Sequence, residues 1–104
     1  MITYATDSDF HQLISQGPVM VDFFGKTCGP CKMIARVLDA LDDEFPFLNI
    51  VKVDVDECPG VSEEFEINGI PDLYFYNDGR LVARELGAVS EDVIRSHLAE
   101  LLYQ

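Results

Sequence analysis

The sequence predicts an α/β fold in which a central mixed sheet is flanked by helices on both faces. Two nearly continuous apolar runs, residues 19–24 and 47–55, are separated by a segment of helical period. That arrangement is the mark of a parallel βαβ unit whose strands are covered on both sides. A third run, residues 72–76, leads through Asn77-Asp78-Gly79 into a fourth, and Asp-Gly between strands is a strong hairpin signal. The 104 residues are 48% hydrophobic, which is one domain's length with enough apolar side chain for one core, so residues 1–104 are read as a single domain.

Each element has a local cause. A short initial strand is predicted around Ile2 to Tyr4. Thr6, three residues before Asp9, marks a first helix with Phe10, Leu13 and Ile14 on its buried stripe, ending near Gly17-Pro18. Val19-Met20-Val21-Asp22-Phe23-Phe24 reads as a central strand, with a single carboxylate as its anomaly. Ile34, Val37, Leu38, Leu41 and Phe45 then line one face of a helix that Pro46 closes. Cys28 falls at its beginning, and Pro30 is tolerated in its first turn, where no helical hydrogen bond is lost. Residues 47–55 form the next core strand. A short helix follows from Pro59 to about Phe65, where Val61 and Phe65 share a face. Gly69-Ile70-Pro71 breaks the pattern before the hairpin. Ser90 caps a last helix carrying Val93, Ile94, Leu98, Leu101 and Leu102.

Charge excludes some function classes. Seven Lys or Arg against nineteen Asp or Glu give a formal charge of −12, and no basic residue lies between Lys52 and Arg80. Such a field repels nucleic-acid phosphates. An acidic solvated surface and selection of basic protein partners both fit it. No apolar stretch approaches the roughly 20 residues of a membrane-spanning helix, so no membrane association is expected. The first ten residues contain acids and no basic stretch, unlike a secretory signal, and a cytoplasmic location is the expectation.

The chemistry concentrates in Cys28-Gly29-Pro30-Cys31. Two thiols three residues apart in a first helical turn approach closely enough to form a disulfide. Exposed amides and the helix dipole favour the Cys28 thiolate, which attacks a substrate disulfide before Cys31 resolves the mixed disulfide. An inert structural pair and a metal site are the alternatives. Zinc needs a ligand beyond Cys28, Cys31 and Cys58, and His11 and His97 read as surface or boundary histidines, so no metal is expected. Asp22 lies among Val19, Met20, Val21, Phe23 and Phe24, where burial opposes ionisation and moves the carboxyl toward a range useful for proton exchange. It is a candidate proton acceptor for Cys31, directly or through water. Pairing with Lys52 in a polar pocket is the structural alternative, and the two are compatible.

Val21-Asp22-Phe23-Phe24-Gly25-Lys26-Thr27-Cys28-Gly29-Pro30-Cys31-Lys32-Met33-Ile34, Val53-Asp54-Val55-Asp56 and Gly69-Ile70-Pro71 resemble the thioredoxin family in order and spacing. The resemblance covers essentially the whole chain, including the Gly87 turn before the last helix. It implies the thioredoxin fold and a protein-disulfide reductant that binds no cofactor, cycles a Cys28–Cys31 disulfide and takes electrons from an external thioredoxin reductase. Isolated turn glycines such as Gly79 and Gly87 offer no nucleotide loop of its own. The resemblance makes Cys28 the exposed nucleophile, Cys31 the buried resolving thiol, Asp22 the carboxylate behind them and Lys52 the lysine beside it. It makes Ile70–Pro71 a cis bond facing the dithiol, so that Ile70 receives an extended substrate strand, with Thr27, Gly29, Pro30, Pro71 and Gly87 around it. A monomer acting on disulfide-containing proteins is expected.

Departures from the family pattern are informative. Phe24 and Thr27 stand where tryptophans are usual, and the chain has no tryptophan. Arg36 replaces a helix-bending proline, which predicts a straighter helix. Asp72 replaces the usual Thr after Pro71. Turned toward Cys28, its like charge disfavours the thiolate; otherwise it is solvated or paired with Lys26. Cys58 is either a buried small residue or an exposed secondary thiol. A binding module indifferent to thiol state and a glutathione-dependent glutaredoxin are the competing functions, the latter without a clear positive cluster for glutathione's carboxylates.

Overall fold

The computed structural model describes residues 1–103. Five strands, β1 (Ile2–Tyr4), β2 (Pro18–Phe24), β3 (Asn49–Asp54), β4 (Asp72–Asn77) and β5 (Arg80–Leu86), form one sheet in the order β1-β3-β2-β4-β5. The first three are parallel; β4 runs antiparallel to β2, and β5 antiparallel to β4. Among the described residues four helices complete the fold: α1 (Phe10–Leu13), α2 (Gly29–Glu44), α3 (Pro59–Glu64) and α4 (Glu91–Leu102). The mixed sheet with its βαβ half and hairpin matches the fold class expected.

Strand alternation divides the core between the two faces of the sheet. Val19, Val21 and Phe23 join Phe10, Val61 and Tyr74 on the α1 and α3 side. Met20, Ile50, Leu73 and Phe75 pack with Ile34, Leu38, Leu41, Ile94 and Leu98 on the α2 and α4 side. The β4–β5 turn has Asp78 at φ 51° and Gly79 at φ 79°, both left-handed as a two-residue hairpin demands, and Asp78 Oδ1 accepts from Gly17 N at 2.8 Å. Ser90 Oγ accepts from Val93 N at 3.3 Å, the predicted cap of α4.

Two expectations change. The first helix is a single turn. Thr6 and Asp9 do bond reciprocally, Thr6 N to Asp9 Oδ1 at 2.7 Å and Asp9 N to Thr6 Oγ1 at 3.3 Å, but they close a turn ahead of α1. At the other end, the Ser15 amide and hydroxyl both take the Gln12 carbonyl, and the chain leaves the helix well before Gly17. The strand expected over 47–55 is limited to Asn49–Asp54, because Leu48 N turns back to Phe45 O and Phe47 is left 60% exposed. Arg36 sits within an α2 that runs unbroken from Gly29 to Glu44.

Candidate dithiol redox site

The strand-to-helix junction after β2 creates the site. Cys28 is the N-cap of α2, in extended backbone, with Pro30 in the first turn. The Cys31 amide donates to Cys28 Sγ at 3.1 Å, so one of the helix's unmatched donors is aimed at the sulfur. An anion on that sulfur is therefore stabilised by an oriented N–H and by the helix dipole. The Cα atoms are 5.2 Å apart and the sulfurs are bonded as a disulfide. Cys28 is half-buried, whereas Cys31 is 3% exposed. Thr27, Gly29 and Pro30 form an exposed rim, and among the described residues nothing beyond the adjoining turn of α2 lies within 4 Å of where a Gly29 Cβ would be.

Facing the dithiol is the loop before β4. The Ile70–Pro71 bond is cis, and Ile70 O lies 3.9 Å from Cys28 Sγ. Gly87, at φ 98°, donates its amide to Pro71 O at 2.8 Å, tying the turn after β5 to the same loop. Gly25 is a contact that sequence reasoning missed: a Cβ there would meet Ile70 Cδ1 at 2.7 Å, so any side chain at this position would displace the tip of Ile70 beside the dithiol. A glycine closing a core strand was the available signal.

Asp22, two residues before the end of β2, is 0% exposed, with neither carboxylate oxygen hydrogen-bonded. Lys52 is its register partner on β3, with Nζ at 3.8 Å from Oδ2. Burial pushes the Asp22 carboxyl up to about 6, and the Lys52 charge only partly opposes this. The lysine is itself held over the rings of Phe24 and Tyr4, at 4.9 and 5.7 Å from their centroids. A cleft of about 160 Å³, walled by Phe24, Cys31, Lys32, Ala35 and Lys52 among others, opens beside Cys31.

Asp72 corrects the expectations for its surroundings. Neither solvated nor near Lys26, it is 0% exposed and receives Arg84 bidentately, from Nε at 3.0 Å and Nη2 at 2.7 Å. Lys26 instead meets Glu57 at 2.8 Å and Asp54 at 3.7 Å. The Arg84 partner was missed, since the hairpin alone brings the two together. Cys58 is the buried small residue: 1% exposed, donating to Ala5 O at 3.3 Å, its thiol pushed up by burial and by the surrounding carboxylates of Asp7, Asp54, Glu57 and Asp9. His11 pairs with Glu64 and His97 with Glu85, and among the described residues no group of three or more metal-ligating side chains is assembled.

The profile of the Thioredoxin family matches residues 1–100. The chain belongs to the thioredoxin family. A thioredoxin of Chlamydia muridarum is 40% identical over 92 residues, spanning 88% of this chain and 90% of that one. A thioredoxin of Staphylococcus saprophyticus is 41% identical over 102 residues, spanning 93% and 98%. A chain solved in work on thiol resolution in yeast mitochondrial 1-Cys peroxiredoxin by the glutathione/thioredoxin systems superposes with a TM-score of 0.88 at 31% identity, covering 96% of this chain and 95% of that one. With a disulfide-capable Cys28–Cys31 pair, this thioredoxin-family chain is a thiol–disulfide oxidoreductase. No helix among the described residues is long and apolar enough to cross a membrane.

Proposed function

We propose that residues 1–104 act as one monomeric domain that reduces protein disulfides in the cytoplasm, with electrons supplied by a thioredoxin reductase. The observation that carries this reading is the asymmetry of the two sulfurs. Cys28 is accessible and has an amide aimed at it; Cys31 is buried within bonding distance behind it.

In the reduced protein the Cys28 thiolate attacks one sulfur of a substrate disulfide. A mixed disulfide forms, and the first substrate sulfur leaves as a thiolate that takes a proton from water. Cys31 then gives its proton to Asp22 and attacks Cys28 Sγ. The intramolecular disulfide forms, the bond from Cys28 to the substrate breaks, and the second substrate sulfur leaves as a thiolate that takes a proton from water, so two electrons pass to the substrate. A carboxyl near 6 is ionised often enough at neutral pH to accept this proton and acidic enough to release it to solvent afterwards. Lys52 stabilises the ionised Asp22. The Ile70 carbonyl and amide receive an extended substrate backbone over Pro71 and Gly87, while Thr27, Gly29 and Pro30 leave room for its approach.

The test is insulin-type disulfide reduction with thioredoxin reductase or with glutathione as the electron source. Activity with the reductase and none with glutathione alone is expected. Cys28→Ser should abolish turnover, and Cys31→Ser should trap the substrate as a mixed disulfide. Retention of full activity by Cys28→Ser, or attack through Cys31 first, would end this reading.

A further inference from the structure

The ion pair between Asp72 and Arg84 lies outside the proton path just described, yet it is built into the ledge that faces Cys28. Asp72 follows Pro71 directly and opposes Leu86 in the β4–β5 register. Leu86 in turn packs against Gly69, where a Cβ would sit 3.5 Å from Leu86 Cδ1, and Gly87 N is bonded to Pro71 O. The segment 69–71 and the segment 86–87 are thus one two-sided ledge, joined at its base by the Arg84 fork on Asp72. The guanidinium is further fixed by the Tyr74 ring, 5.1 Å below it, whose residue is its register partner on β4. A planar group held from two directions resists shear of β4 against β5, which a single hydrogen bond does not.

We infer that Arg84 is a positioning residue for substrate binding: through its two bonds to Asp72 it holds the Ile70–Pro71 and Leu86–Gly87 segments in the spacing needed to receive a substrate strand over Cys28. It touches no reacting atom. The inference rests on the proposed role of the Ile70 backbone as the strand receptor. A protein disulfide, which must lay its chain on the ledge, depends on Arg84, whereas a small aromatic disulfide, which needs only the Cys28 sulfur, does not.

The experiment compares insulin with a small aromatic disulfide in wild type, Arg84→Lys and Arg84→Met, with rates taken at a pH where the Cys28 thiol is fully ionised. Arg84→Lys keeps the charge opposite Asp72 and loses the fork, so it isolates positioning from electrostatics and remains folded if Arg84→Met does not. The expected result is a rise in KM for insulin of roughly tenfold in Arg84→Lys and more in Arg84→Met, on the scale by which misplaced receiving groups weaken binding. The value of kcat and the rate with the small disulfide should stay within about twofold of wild type, as for loss of uniform binding. An unchanged insulin KM in folded Arg84→Lys overturns the inference, as does an equal loss on both disulfides. Failure of the underlying reading looks different: wild type itself would then show no preference for a protein disulfide over the small one.

Discussion

Two carboxylates, Asp22 and Asp72, are both wholly buried in adjacent strands, one register step apart across β2 and β4, and their surroundings are opposite. Asp72 faces the α1 and α3 side and is locked by two bonds of 3.0 Å or less. Asp22 faces the α2 and α4 side, has no hydrogen bond, and meets its lysine at 3.8 Å. A forked donor satisfies the Asp72 carboxylate, whereas burial raises the pKa of Asp22 because its counter-ion stands slightly too far away to offset it. The same residue type is thus a fixed strut on one face and a carboxyl without a hydrogen bond on the other. That difference is sharpest where it can be broken from either side.

The largest effect is expected from removing the strut's partner. Arg84→Met leaves Asp72 buried and unpaired; because Arg84 is itself 46% exposed and its charge part-screened, the loss sits at the low end for breaking a buried pair, about 3 kcal/mol. Equilibrium denaturation at pH 7 should show this loss. A loss below about 1 kcal/mol would mean that Asp72 relaxes to solvent, and the contrast with Asp22 would shrink accordingly.

Asp22→Asn should do the reverse. Its carboxyl titrates near 3.8 when unfolded and about 6 when folded. Between those values the native state holds the extra proton, so stability falls as pH rises through the window. Above it, the ionised carboxylate costs the wild type about 3 kcal/mol, taking 1.36 kcal/mol per unit. The Asn variant should lack this fall, so its advantage over wild type grows from pH 4 to pH 8. It should also slow the resolving step at neutral pH by roughly hundredfold, the scale of a lost general base, while leaving formation of the mixed disulfide near its original rate. Rapid mixing that finds both steps slowed equally, or neither, would remove Asp22 from the proton path.

The two sites differed just as much in how far the sequence disclosed them. Asp22 was legible because a lone acid inside an apolar strand announces its own burial, and Cys28 because a strand, a glycine and a proline-bearing helix start place it at a cap. The Asp72–Arg84 pair was not, since twelve residues of hairpin separate the partners and a β-bulge between Phe75 and Tyr76 alters their register. Local patterning says which face a residue takes; it does not say which charge on the next strand reaches it. The same limit applies to Gly25, whose significance lies in Ile70, 45 residues onward. The α1 turn failed for another reason: Thr6, Asp9 and Ser15 compete for the very backbone groups a longer helix would use.

The smallest perturbation probes why the Asp22–Lys52 pair is loose. Tyr4, Lys52 and Asp22 are consecutive register partners across β1, β3 and β2, and the lysine is shared between the carboxylate and two aromatic faces. Tyr4 is 63% exposed, and a cation over a ring at such a site contributes about 0.5 kcal/mol. Tyr4→Leu should therefore lower stability by that amount and move the Asp22 midpoint by at most about 0.4 units, since 1.36 kcal/mol corresponds to one unit. An upward shift means the ring helps to hold the ammonium toward the carboxylate; a downward shift means the ring competes for it. The same substitution in the Asp22→Asn background isolates the coupling. If its effect there equals its effect in wild type, Tyr4 and Asp22 do not communicate through Lys52, and the spacing of the pair is set by Phe24 and the β3 backbone alone.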